Sequence, residues 1–239
     1  MDCVSMEKQI RVQECFCDMF YNMPLSYMLK EAQQISGEHC ETLGIGNDYM
    51  KGIGKAFLLA KLKVDIARQP KGGEEITIKT VPYLPRMFAY PRFTYFMDQQ
   101  GNTLVTVDSR WILVDTAERK IERELPKAME GLFPRGQAME DFRIPRMRET
   151  EYLEDYVVKY SVTDFIGHMT NAAYGDVAVN CFGEELLEGK TLRSAILAYH
   201  KEALPGQTIR LYTEKNGSFR MVKGLLEEKP GFEAMLEIV

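Results

Sequence analysis

The 239-residue sequence has little cysteine: Cys3, Cys15, Cys17, Cys40 and Cys181. The number is odd and no CxxC pair occurs, which argues against a disulfide framework and a zinc knuckle. A basic excess is also missing. Thirty Lys and Arg against 35 Asp and Glu leave a net charge of -5, whereas chains that live on phosphate backbones carry a positive balance, so no nucleic-acid partner is expected. Long apolar runs are absent. Phe57-Leu58-Leu59-Ala60 and Trp111-Ile112-Leu113-Val114 fall far short of the roughly 20 residues that span a bilayer, so no stable membrane insertion is expected. The opening MDCVSMEKQIR brings charges before any apolar stretch, which does not fit a signal peptide. No GxGxxG, P-loop or HExxH occurs, and neither a metal nor another cofactor is implied. A soluble, reduced, cytoplasmic protein is the expectation.

What remains is ordinary globular material, 45% hydrophobic and 27% charged, of a length between one and two domains. Lys8 to Cys17 nearly alternates and reads as a strand, with Ile10, Val12, Cys15 and Cys17 available for buried faces. Pro24 opens an amphipathic helix to about Gly44, its apolar positions Leu25, Met28, Leu29, Ala32 and Ile35 recurring at three- and four-residue steps. Strand-like stretches follow at Ala56–Ala67, Glu75–Tyr83, Met87–Asp98 and Thr103–Asp115, punctuated by turns such as Pro70-Lys71-Gly72-Gly73. From Leu125 to Arg148, Pro126, Pro134, Gly136 and Pro145 break any periodicity, and Arg135, Arg143, Arg146 and Arg148 add basic character, as in a surface linker. The order then restarts: a strand at Tyr152–Val162, a helix at Thr170–Leu187, and strands at Arg193–Leu204, Thr208–Lys215, Ser218–Glu227 and Gly231–Val239.

Strand, helix and antiparallel meander, twice over, is an internal repeat. Asp18-Met19-Phe20-Tyr21-Asn22-Met23 lines up with Asp164-Phe165-Ile166-Gly167-His168-Met169, 146 residues further on, with Tyr27 and Tyr174 at nearly the same offset. A helix that cannot bury its stripe alone is covered by wrapping a curved antiparallel sheet around it, an α+β layer. A duplicated fold need keep its chemistry in only one half, and the copies differ at two reactive positions. His168 stands where the first copy has Asn22. Counting three residues back from Pro70 and Pro205 sets Glu202 against Ala67. A histidine at the mouth of a helix can act beside free backbone N–H groups, which polarise a carbonyl oxygen. A nearby carboxylate can orient the imidazole, activate water or attack directly. Asp164, four residues before His168, is placed to hold an imidazole nitrogen or to cap the helix. His39-Cys40 reads as packing rather than a thiol–imidazole pair, and the 14 methionines as adaptable core filler.

Thr163-Asp164-Phe165-Ile166-Gly167-His168-Met169-Thr170-Asn171-Ala172-Ala173-Tyr174, followed by Tyr199-His200-Lys201-Glu202-Ala203, resembles the second half of the acyl-acyl carrier protein (acyl-ACP) thioesterases. Their pattern is approximately S-D-x-D-x-N-x-H-x-N-N-x-x-Y, then Y-x-x-E-C about thirty residues later. The resemblance implies a tandem (double) hotdog: an N-terminal unit over 1–124 that binds the acyl chain, a linker over 125–150, and a catalytic C-terminal unit over 151–239. It implies Asp164, His168 and Glu202 as catalytic residues and Asn171 as a substrate-binding one. Three positions depart from the pattern. Ile166 replaces the family's Asn, Thr170 replaces the first Asn after the histidine, and Ala203 stands where plant members have Cys, so a cysteine nucleophile cannot operate.

The implied reaction is hydrolysis of a fatty acyl-ACP thioester to free fatty acid and holo-ACP, ending fatty acid elongation. Backbone N–H groups near Met169 to Asn171 would receive the oxyanion. The implied partner is an acyl carrier protein bearing a fatty acyl-phosphopantetheine. Its acidic surface would meet basic groups such as the arginines between 135 and 148, or Lys190 with Arg193. The acyl chain would lie along the helix from Leu25 to Ile35 and the strand from Phe57 to Val64. The alternatives are an acyl-CoA or aromatic acyl thioesterase of hotdog type and a non-catalytic acyl or ACP binder. Either a monomer or a homodimer fits the sequence.

Overall fold

A computed structural model describes residues 4–136 and 140–239. Cys3 and positions 137–139 of the proline- and arginine-rich stretch lie outside the described residues. The chain divides into two compact units, one of Met1–Pro24, Lys30–Leu62 and Ala67–Asp141, the other of Leu25–Leu29, Lys63–Ile66 and Phe142–Val239.

The first repeat opens with strand β1 (Met6–Arg11). The expected continuation of this strand to Cys17 is not found. After Val12 the chain leaves the ladder for a 3-10 turn over Glu14–Phe16, in which the Phe16 and Cys17 N–H groups close on the Gln13 and Glu14 carbonyls. Cys15 is therefore exposed and Cys17 only half-buried. Helix α1 (Leu25–Thr42) starts on Pro24 as its N-cap, where a missing N–H costs nothing. Its stripe of Leu25, Met28, Leu29, Ala32 and Ile35 is buried, and it ends at Gly44, whose φ of +73° suits a residue without Cβ. A short helix α2 (Asn47–Gly52) precedes β2 (Lys55–Ile66), β3 (Glu75–Pro82), β4 (Ala89–Met97), β5 (Thr103–Asp115) and the two-residue β6 (Lys120–Ile121). The strand order is β1-β3-β4-β5-β2, with β6 on β5, and the β1–β3, β3–β4 and β4–β5 pairs are antiparallel. Met129 and Phe133, from the stretch that reads as a linker, are buried with Ile45, Met50, Tyr90 and Leu113. Tyr90 meets Phe57 and Phe133 edge-on at 5.1 and 5.9 Å.

The second repeat has β7 (Glu151–Val157), α3 (Asn171–Asn180), α4 (Gly183–Leu187), β8 (Leu192–Tyr199), β9 (Thr208–Asn216), β10 (Phe219–Leu226) and β11 (Lys229–Ile238). The single helix expected over 170–187 is broken. The Phe182 N–H closes three residues back on the Val179 carbonyl, which turns the buried Phe182 inward, and Gly183 starts a new direction. β8 also stops short of the expected Leu204, because the His200 and Lys201 N–H groups both converge on the Gly231 carbonyl, a bulge that ends regular pairing. The order β7-β9-β10-β11-β8 repeats that of the first copy, again with antiparallel neighbours. Among the described residues, no helix is long and apolar enough to cross a membrane.

Candidate active site

The loop before α3 is built by one carboxylate. Asp164 Oδ1 accepts the N–H groups of Ile166 (3.0 Å) and His168 (3.3 Å), while the backbone closes from Asp164 N–H to the His168 carbonyl at 2.9 Å and from Gly167 N–H to the Asp164 carbonyl at 3.0 Å. Gly167 has φ +86°, in the left-handed region that glycine enters without a Cβ penalty. Asp164 thus spends its carboxylate on backbone N–H groups. It neither holds the imidazole nor caps the helix, whose N-cap is Thr170 without a side-chain bond.

The loop before α1 is the same object. Asp18 Oδ1 accepts the Phe20 and Asn22 N–H groups at 2.9 and 2.8 Å. Asp18 N–H reaches the Asn22 carbonyl at 2.9 Å, and Tyr21 N–H the Asp18 carbonyl at 2.9 Å. Tyr21, at φ +67°, occupies the place of Gly167. The 146-residue offset therefore holds bond by bond, and both aspartates are explained by the turn they stabilise.

The second segment corrects the pairing of Glu202 with Ala67. Met23 N–H donates to the Pro70 carbonyl and Met169 N–H to the Ala203 carbonyl, both at 2.8 Å. Gly73 N–H reaches the Val12 carbonyl as Gly206 N–H reaches that of Val158. Lys71 N–H finds the Glu74 carboxylate as Leu204 N–H finds the Gln207 side-chain oxygen. These bonds equate Pro70 with Ala203, so the counterpart of Glu202 is Gln69. Counting from the prolines misaligned the copies because the prolines themselves are not equivalent. By the starts of α1 and α3, Tyr174 likewise corresponds to Met28 rather than Tyr27.

At this register the two copies differ by isosteres. The first holds Asn22 and Gln69, with Lys71 Nζ 2.6 Å from Asn22 Oδ1. The second holds His168 and Glu202, with imidazole Nε2 3.6 Å from a Glu202 carboxylate oxygen. That separation is an ion-pair distance when the ring is protonated and too long for a hydrogen bond. Both side chains reach solvent, 26% and 36% exposed, so water can enter between them.

Two tyrosines, which in the sequence mark only the repeat and the family motif, support this pair. Tyr174 on α3 is buried, and its hydroxyl oxygen takes the Ala203 N–H. Burial, with Glu202 adding to it, pushes its pKa up to about 12, so the phenol stays protonated. Tyr199 at the end of β8 donates its hydroxyl to the Asn171 carbonyl at 3.1 Å, and burial raises its pKa as well. The two rings meet edge-on at 5.4 Å. Asn171 is the first residue of α3, half-buried, and occupies the place of Leu25. Of the N–H groups expected to receive an oxyanion, Met169 and Thr170 are already bonded, to the Ala203 and Val162 carbonyls. Asn171 N–H, in the first helical turn, has no intrahelical acceptor. Ile166 is exposed.

Sequence models of the acyl-ACP thioesterase N-terminal domain and C-terminal domain match residues 4–132 and 146–234. The chain belongs to the acyl-ACP thioesterase family. It is a thioester hydrolase of that family, with the tandem hotdog fold. An acyl-ACP thioesterase from Bacteroides thetaiotaomicron superposes with a TM-score of 0.89 at 15% identity, over 98% of both chains. The 12:0-ACP thioesterase from Umbellularia californica gives 0.88 at 14% identity, over 99% of this chain and 97% of that one. At such identities the likeness is one of fold. No curated protein sequence matches the chain significantly.

Other sequence candidates lie elsewhere. Lys190 Nζ is 2.8 Å from the Glu185 carboxylate. His39 and Cys40 do pack: His39 is fully buried, and Arg92 reaches His39 Nδ1 at 3.2 Å and Cys40 Sγ at 3.4 Å.

Proposed function

We propose that the chain hydrolyses fatty acyl-ACP thioesters at the His168–Glu202 pair, in the cytoplasm, with an acyl carrier protein bearing a fatty acyl-phosphopantetheine as partner. The observation that carries this is the 3.6 Å approach of imidazole and carboxylate in the repeat whose counterpart holds Asn22 and Gln69. The unit over 151–239 supplies the chemistry, the unit over 1–124 takes the acyl chain, and 125–150 links them.

A thioester carbonyl is already activated, so the site needs to deliver water and receive charge. Glu202 takes a proton from water as its oxygen attacks the acyl carbon. Asn171 N–H, at the positive end of α3, receives the oxyanion, and the Asn171 side chain contacts the substrate. The C–S bond then breaks, and His168 delivers a proton to the departing phosphopantetheine sulfur. The products are free acid and carrier thiol, and Glu202 returns its proton through the imidazole. Asp164, with its carboxylate on two backbone N–H groups, positions the loop that presents His168.

The test is free-thiol release from a panel of acyl-ACPs, with matched acyl-CoAs beside them, by wild type, Glu202→Gln and His168→Asn. These substitutions install the residue types of the first repeat. ACP-preferring release that falls about 10²- to 10⁴-fold in either variant is expected. No release from any acyl-ACP, or variants at wild-type rate, refutes the proposal, and CoA-only turnover moves the chain to acyl-CoA hydrolysis.

A further inference from the structure

Glu202 sits past the end of β8 in an irregular segment, yet a base must hold its place relative to His168. Its neighbour Ala203 is fixed from both sides of its backbone. The Ala203 carbonyl accepts the Met169 N–H at 2.8 Å, and the Ala203 N–H is taken by the Tyr174 hydroxyl. Met169 follows His168 directly, so the first bond ties the two reacting residues together through adjacent backbone.

The carbonyl bond belongs to the fold, because Met23 N–H makes it to the Pro70 carbonyl in the first repeat. The bond to Tyr174 does not. There the donor is lost, since Pro70 has no N–H, and the acceptor is lost too, since Met28 stands for Tyr174. The second hydroxyl follows the same pattern. His200 and Lys201 share the Gly231 carbonyl as Ala67 and Arg68 share that of Leu104, which equates Tyr199 with Ile66. Leu25 stands for Asn171, whose carbonyl Tyr199 holds at 3.1 Å. Two tyrosine hydroxyls, both absent from the repeat without His168 and Glu202, thus grip the backbone on either side of the pair, and their rings support each other at 5.4 Å.

From this we infer that Tyr174 and Tyr199 are positioning residues for the thioesterase reaction: Tyr174 sets Glu202 through Ala203, and Tyr199 sets the first turn of α3 through Asn171. The inference rests on the reading of His168 and Glu202 given above. Neither phenol takes part in bond making. Each removes freedom from a backbone segment whose displacement by about 1 Å costs on the order of 100-fold in rate.

The experiment compares thiol release from acyl-ACP by wild type, Tyr174→Phe, Tyr199→Phe, Ala203→Pro and the Tyr174→Phe/Ala203→Pro double variant, with thermal midpoints recorded in parallel. Phe keeps the ring packing, and Pro occupies the Ala203 position in the first repeat. Each single variant is expected to lose about 10- to 100-fold in kcat with KM within threefold. The double variant should lose no more than the worse of its two singles, because both remove one bond. Fully additive losses, or Tyr174→Phe at wild-type kcat, overturn the inference. A fall in thermal midpoint with kcat unchanged gives the tyrosines a purely structural role and overturns it as well. Should Ala203→Pro fail to fold, Tyr174→Phe and Tyr199→Phe decide alone. A wild-type protein that releases no thiol removes the hydrolase reading and this inference with it, whereas active wild type with unaffected variants removes only this inference.

Discussion

Replacing Glu185 by glutamine tests whether a charge network, rather than the apolar core alone, holds α4 against the sheet. The Glu185 side chain is 9% exposed, and Arg220 grips it with Nε and Nη2, each at 2.7 Å. Lys190 and Lys215 approach the same carboxylate at 2.8 and 3.0 Å. Arg220 is itself 8% exposed, and its remaining nitrogen donates to the Gly217 and Phe219 carbonyls. Glutamine preserves shape and one acceptor but leaves the buried guanidinium without a counter-charge. Breaking one side of such a pair costs about 3–5 kcal/mol, a fall in thermal midpoint of about 6–20 °C for a chain of this length. The pH dependence has a definite sign. Arg220 first, then the lysines, hold the Glu185 carboxyl well below the usual carboxylate range, so the folded state takes up this proton less readily than the unfolded one. The stabilisation is complete above the unfolded pKa of about 4.3 and is lost as pH falls from there toward the folded value. Urea unfolding of wild type and Glu185→Gln at pH 7, 5 and 3.5 is the assay, and the gap between them should be widest at pH 7 and narrow toward pH 3.5. A difference under about 1 kcal/mol at pH 7, or a gap that widens in acid, would show that the network contributes no more than a surface pair.

The duplicated aspartate gives a second prediction. Asp18→Ala and Asp164→Ala each remove an acceptor of two backbone N–H groups, so each should cost about 1–2 kcal/mol in urea unfolding. Only Asp164→Ala should also reduce thioester turnover, and equal activity losses in both would contradict the assignment of chemistry to the second repeat. Arg92→Met is expected to change stability by less than about 1.5 kcal/mol, because the partners it leaves, His39, Cys40 and Thr80, include no carboxylate and well-packed apolar replacements of buried ions are often neutral. A loss above about 3 kcal/mol in the same assay would assign the guanidinium a structural role that its bonds do not reveal.

Periodicity carried α1 and strands such as β3, β10 and β11, whose burial recurs at helical steps or alternates. The strand expected over Tyr152–Val162 instead ends at Val157, exposed along most of its length, before a 3-10 turn at Tyr160–Val162. Periodicity failed where backbone bonding rather than burial decides. Cys15 and Cys17 continue an alternating pattern, yet the chain has already turned at Gln13, and nothing in residue type marks the two N–H groups that close the 3-10 turn. Glu202 falls outside a strand because two successive N–H groups share one carbonyl, a bulge that an apolar count cannot register. The break at Cys181–Phe182 was equally hidden, since Phe182 fits either a continuous stripe or an inward turn. The misassigned counterpart of Glu202 has a single cause. Proline looked like a fixed landmark, but Pro70 corresponds to Ala203, and only the hydrogen-bond register reveals it. Tyr174 and Tyr199 were legible as motif letters and not as supports, because what they hold is backbone.

The duplication acts as an internal control on which residues the fold requires and which the reaction requires. Asp18 and Asp164 accept equivalent backbone N–H groups in both copies, so the turn itself accounts for an aspartate at each of the two positions. Positive φ is also retained, by Gly167 in one loop and by the bulkier Tyr21 in the other, which shows that the turn demands the conformation and tolerates the side chain. Against this shared scaffold, the exchanges of Asn22 for His168, Gln69 for Glu202, Met28 for Tyr174, Ile66 for Tyr199 and Pro70 for Ala203 fall within one neighbourhood. The first repeat holds neutral side chains, Asn22 and Gln69, at the first two positions. The second repeat thus carries an ionisable pair that reaches solvent, 26% and 36% exposed, and adds two tyrosine hydroxyls around it, an arrangement that fits the proposed roles of Glu202 as base and His168 as acid.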